Sequence, residues 1–131
     1  MSLATDVANG DPGHAELHNA ERTAINKLST MVTSTKTASH TLVLADANTI
    51  IEMNVGTANT LTVPANSGVA FPIGTVIEVY QLGAGQTTVV AATGATIRTP
   101  DTLKLDGQYA TAALRKRATD EWVLDGRLEA V

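Results

Sequence analysis

Gly107-Gln108-Tyr109-Ala110-Thr111-Ala112-Ala113-Leu114-Arg115-Lys116-Arg117-Ala118-Thr119-Asp120-Glu121-Trp122-Val123-Leu124-Asp125-Gly126 reads as two strands around a short polar turn. The second strand carries the only Trp of the chain. On a strand, neighbouring side chains point to opposite faces, so Arg115 and Arg117 share one face and Lys116 takes the other. A lone Trp on an alternating strand is expected in a core, because Trp is highly buried on average.

The same period of two runs upstream. Thr41-Leu42-Val43-Leu44 and Thr49-Ile50-Ile51-Glu52-Met53-Asn54 flank a turn cluster, Asp46-Ala47-Asn48. Thr60-Leu61-Thr62-Val63-Pro64 alternates strictly, with Leu61 and Val63 inward and the proline as terminator. Thr75-Val76-Ile77-Glu78-Val79-Tyr80-Gln81-Leu82 is the strongest strand. Gly83-Ala84-Gly85-Gln86 turns into Thr87-Thr88-Val89-Val90-Ala91, read as a hairpin. Thr96-Ile97-Arg98 and Leu103-Lys104-Leu105 follow. No intervening stretch is long and helical enough for a parallel crossover, so an antiparallel β-sandwich or barrel is expected over 41–131. Its expected core includes Leu61, Val63, Ile77, Val79, Trp122 and Leu124.

The N-terminal third has another rhythm. Met1 to Gly10 is small and polar, an extended arm. Asp11-Pro12-Gly13 opens a helix, with Asp as N-cap and Pro at the first helical position, where the missing N–H costs nothing. From His14 to Met31 no Pro or Gly interrupts good helix formers. Leu17, Ala24 and Met31 recur at seven-residue spacing, and Ile25, Leu28 and Val32 step beside them. The stripe is too short for an autonomous coiled coil. Leu17, Ala24, Ile25, Leu28 and Met31 are therefore assigned to oligomer or anchoring contacts. Arm and helix occupy 1–33, and a Ser/Thr/Ala linker spans 34–40.

Composition narrows the function classes. Hydrophobic residues make up 44% of the 131, but aromatics only 3%. Small side chains bury little area each, at about 25 cal/mol per Å², so subunits are expected to share a core. A net charge of −4 argues against binding dominated by nucleic-acid phosphates. The absence of cysteine removes disulfides and thiolate metal sites. Neither a membrane span nor a signal peptide is visible, which predicts assembly in a cytoplasm.

Few constellations suggest chemistry. His14 and His18 lie four apart with Glu21 nearby, but a closed zinc site needs about four ligands and the order is not that of a metalloprotease helix. Helix capping or polar packing is the preferred reading. Gly83 to Thr88 lacks the lysine and following helix of a phosphate loop. No nucleophile–base–orienter set is present, so neither catalysis nor a cofactor is expected. Tyr109 and Trp122 are the residues able to stack on a sugar.

The segment from His40 to Leu128 resembles a module of bacteriophage virion proteins, found in tail fibres and on capsid surfaces. The likeness is carried, in order, by Thr41 to Ala47, Asn59 to Pro64, Phe71 to Thr75, Gly83 to Thr88, Gly107-Gln108-Tyr109 and Asp120-Glu121-Trp122. Gly10-Asp11-Pro12-Gly13-His14 with Leu17-His18-Asn19 is similar to the start of small actinobacteriophage virion proteins. The resemblance implies a non-enzymatic, trimeric structural protein on the virion. The chain has no long shaft, which favours a capsid decoration or head-fibre type docking on the major capsid protein. The alternative it implies is a tail-associated receptor-binding module contacting host glycans. Arg115-Lys116-Arg117 is then either a solvated or intersubunit face, or a contact with an acidic capsid surface.

Overall fold

A computed structural model describes residues 30–131. The arm, the expected helix start, and Leu17, Ala24, Ile25 and Leu28 lie outside the described residues. Met31 is half-buried immediately before the first strand, and 32–131 form one unit. The described strands are β1 (Val32–Lys36), β2 (His40–Thr41), β3 (Thr49–Met53), β4 (Asn59–Val63) and β5 (Val76–Gln81), followed by β6 (Thr87–Ala91), β7 (Thr96–Arg98), β8 (Thr111–Ala118) and β9 (Glu121–Gly126). A 3-10 turn at Leu44–Asp46 separates β2 from β3. The described protein is mainly β, as its alternating patterns dictate: Ile77, Val79 and Gln81 are buried on β5, and Ala112, Leu114 and Lys116 on β8.

The chain alternates between two sheets. One has the order β1-β3-β5-β8-β9-β7, the other β2-β4-β6. The pairs β1–β3, β3–β5, β2–β4 and β4–β6 are all parallel. Each circuit of the chain lays one strand on each sheet, so successive coils stack as in a solenoid. Ile51 pairs with Val79 and Leu61 with Val89, which gives the second and third coils one common register in both sheets. Among the described strand pairs β5–β8 and β8–β9 are antiparallel, and β7 adds to β9 in parallel. Isolated antiparallel bridges join Thr88 to Lys104 and Leu105 to Leu128.

This corrects the antiparallel sandwich or barrel. Parallel neighbours need a long return connection, and here the return from β3 to β5 is itself a strand, β4, in the opposite sheet. The absence of helical stretches therefore did not exclude parallel pairing. The linker expected over 34–40 is corrected too. Val32 to Lys36 pair with Thr49 to Met53 as a full edge strand, because Thr and Val fit a pleated surface once a partner edge is available.

One core lies between the sheets. Ile51, Met53, Ile77, Val79, Leu114, Trp122 and Leu124 come from the larger sheet, and Leu61, Val63 and Val89 from the smaller. Beyond β6 the segment around Leu103 to Leu105 covers the outer edge. Val89 N–H donates to Leu103 O (2.8 Å), and Leu105 N–H to Thr87 O (3.0 Å).

Candidate functional site

Three local arrangements concentrate the polar chemistry of the domain. The first is the corner between β5 and β6. It is not a hairpin loop, since β5 and β6 belong to different sheets. The backbone ladder runs through it: Gly83 N–H donates to Met53 O (3.0 Å), Gly85 N–H to Val55 O (2.9 Å) and Asn59 N–H to Gln86 O (3.0 Å). A Cβ on Gly85 would lie 1.9 Å from Thr57 O, and one on Gly83 would lie 2.5 Å from Val55 O. Glycine is required because coil lies on coil backbone to backbone.

Inside this corner the Thr87 hydroxyl donates to Asn59 Oδ1 (2.7 Å), and Asn59 Nδ2 donates to Thr57 O (2.9 Å) and Gly85 O (3.2 Å). Gln81 accepts from Thr87 N–H (3.2 Å) and donates to Gly83 O (3.3 Å). All three side chains are buried and satisfied, which is what keeps buried polar groups from costing stability.

The second arrangement surrounds Trp122, which is 1% exposed and meets Phe71 edge to face at 5.5 Å. Lys116 lies on the same inner face and is 2% exposed. Its Nζ donates to Asn66 Oδ1 (2.6 Å) and Phe71 O (2.7 Å). Asp120 Oδ1 accepts from Asn66 N–H (2.7 Å). The loop between β4 and β5 is thus fastened to the β8–β9 hairpin by a buried ammonium.

The third arrangement is on the surface. Tyr109 is 63% exposed, has φ +72°, and stacks on Tyr80 with centroids 6.5 Å apart and planes at 29°. A bulky residue with positive φ is an outlier worth about 1–3 kcal/mol of strain. A Tyr109 N–H bond to Gln81 O (2.6 Å) secures it. Tyr109 lines a groove of about 440 Å³ with Gln108, Thr111, Asp106 and Arg127. Arg127 donates to Asp106 through Nη2 (2.7 Å) and Nε (3.3 Å), so the rim is an ion pair without net charge. An open aromatic face beside neutral-sum polar groups can stack on and hydrogen-bond an uncharged polyhydroxylated ligand.

Leu61, Val63, Ile77, Val79, Trp122 and Leu124 are all 0–1% exposed. Trp122 and Tyr109 are not brought together: the first is in the core and the second on the surface. Arg115 and Arg117 are exposed on the outer face. His40 Nε2 lies 2.8 Å from buried Asp46, whose Oδ2 also accepts from Val43 N–H (2.9 Å). His14, His18 and Glu21 lie outside the described residues. Among the described residues, no three His, Asp or Glu side chains gather as metal ligands, and no helix is long and apolar enough to cross a membrane.

Sequence reasoning missed the burial of Lys116 and the Tyr80–Tyr109 pair. The face alternation of β8 carried a signal for Lys116, since it puts that residue on the side of Ala112 and Leu114. Compared with known proteins, the chain matches no protein-family model, and no curated protein matches it.

Proposed function

We propose that the chain is a non-enzymatic structural protein of a bacteriophage virion. In this reading it docks as a trimer on the major capsid protein through its N-terminal arm and helix, including Leu17, Ala24, Ile25, Leu28 and Met31, and the β-domain faces outward. The supporting observation is where the blocks of phage-like sequence lie. Asp46 ties the β2–β3 corner, and Asn59 and the Gly83–Thr88 block build the next one. Phe71 and Trp122 meet across the core. Most of the resemblance blocks therefore contain positions that tie coil corners or fill the core, as suits a protein whose task is to be a durable body, whereas Gly107-Gln108-Tyr109 lies at the surface groove.

The test is attachment to undecorated capsid shells. Full-length protein is expected to bind at a saturating stoichiometry in multiples of three, and a form lacking Met1 to Gly10 to bind at least about tenfold more weakly, because ordering an arm on a surface adds contacts. Equal binding of both forms would remove the arm from the docking mechanism, and no binding by either would remove the capsid reading.

A second reading, a tail-associated module contacting host glycans, is favoured by one observation: the exposed, strained Tyr109 beside the Arg127–Asp106 pair. Loss of glycan-dependent cell binding on Tyr109→Ala, with shell binding absent, would select it.

A further inference from the structure

The outer face of the larger sheet has an unbalanced charge pattern. The register places Arg98, Val123, Arg115 and Val76 in one row across β7, β9, β8 and β5. The next outward row holds Ile50, Glu78, Ala113 and Asp125 across β3, β5, β8 and β9. Two residues of strand separate the rows, about 7 Å at 3.3 Å per residue. Arg98 and Arg117 share the single carboxylate of Glu121, at 3.5 and 3.4 Å. Among the described residues, Arg115, Glu78 and Asp125 enter no ion pair.

The acidic row is also indented. Ala113 is small, and Glu78, Thr111, Asp125 and Gly126 surround it to form a notch of about 330 Å³ with a carboxylate on either side. A guanidinium is planar and donates five hydrogen bonds, so it can serve two carboxylates at once. Among the described residues no cation enters the notch, while Arg115 stands without an ion-pair partner in the adjacent row.

We propose that this face docks a second copy of the chain, with Arg115 of one copy seated in the notch between Glu78 and Asp125 of the next. The proposal rests on the trimer reading above and gives it an interface. Rows that cross the strands run along the direction in which the coils stack. Three copies with parallel stacking directions set each basic row against the neighbour's acidic row, a heterologous contact that closes as a ring. Half-buried Val76, Val123 and Ile50 supply the apolar part of the contact. The same pattern repels a copy that slips by one row, since like charges then face each other.

Sedimentation equilibrium of the full chain tests this with charge reversal. Wild type is expected to be a trimer whose association weakens about tenfold or more between 0.1 and 1 M NaCl. Arg115→Glu alone, and Glu78→Lys with Asp125→Lys, should each weaken association at least about 100-fold. The triple variant carrying both reversals should recover to within about tenfold of wild type. Far-UV circular dichroism and melting verify that each variant is folded, and Arg115→Ala replaces Arg115→Glu if the latter is not. A trimer indifferent to all these changes overturns the proposed face and leaves the trimer standing. A wild-type monomer or dimer overturns both.

Discussion

The stacked coils β1–β6 and the β8–β9 hairpin solve the same burial problem in opposite ways. In the coils the buried side chains are mostly aliphatic, and cohesion comes from backbone ladders that continue through the Gly83–Gly85 corner, with Asn59, Thr87 and Gln81 saturating its polar groups. The hairpin has an antiparallel ladder with a register shift at Glu121/Trp122, and its inner face carries the two largest of the fully buried side chains, Trp122 and Lys116. The coils depend on close backbone approach, whereas the hairpin depends on filling volume. A chain with one Trp and one Phe can therefore close a core by placing both at the junction of the two regions.

The largest expected effect breaks the hairpin side. Trp122→Ala should cost about 3–5 kcal/mol, the range for a large buried aromatic, as a lowered urea midpoint. A loss below about 1 kcal/mol would show that the junction does not depend on Trp122.

On the coil side the counterpart is Gly85→Ala. Its Cβ would collide with the Thr57 backbone, and overpacking that backbone atoms must absorb costs about 1–3 kcal/mol or somewhat more. Gly107→Ala meets nothing within 4 Å and should stay within about 0.5 kcal/mol. Thermal melts of the pair separate a stacking requirement from a general loss of glycine flexibility. Equal effects would contradict the close-approach account.

Lys116→Met sharpens the comparison at the seam. It keeps the apolar stem but leaves Asn66 Oδ1 and Phe71 O without the ammonium, so a loss of about 1–3 kcal/mol is expected. Hydrogen exchange should rise in the 64–74 loop before it rises in the coils. Uniform acceleration would mean that Lys116 does not fasten that loop in particular.

The smallest effect belongs to the surface. Tyr109→Gly relieves a left-handed residue but gives up the stack on Tyr80, and the two nearly offset. Stability should change by less than about 1 kcal/mol in chemical denaturation. A much larger loss would make Tyr109 a structural residue and remove it from the groove's chemistry.

The alternation of Thr60 to Val63, of Val76 to Gln81 and of the hairpin strands is legible in the sequence, because side chains that alternate between core and solvent leave a period of two in it. That was enough for the β class, for the six core residues, and for the split between Arg115/Arg117 and Lys116. The groove was legible only as Tyr109. Tyr80 is 29 positions away in the sequence and meets Tyr109 solely because β5 pairs with β8. The strain at Tyr109 is equally invisible, since nothing in a tyrosine announces a positive φ.

Which strands pair, and in which direction, was decided in three dimensions. Local patterns record which face of a strand is apolar, but an edge can accept a parallel or an antiparallel neighbour with the same alternation. The choice was made by whole-chain packing: each connection travels through the opposite sheet, the second and third coils share one register, and Gly83 and Gly85 allow the coils to touch. Those are relations between segments far apart in the chain, and only the assembled core brings their energies into play.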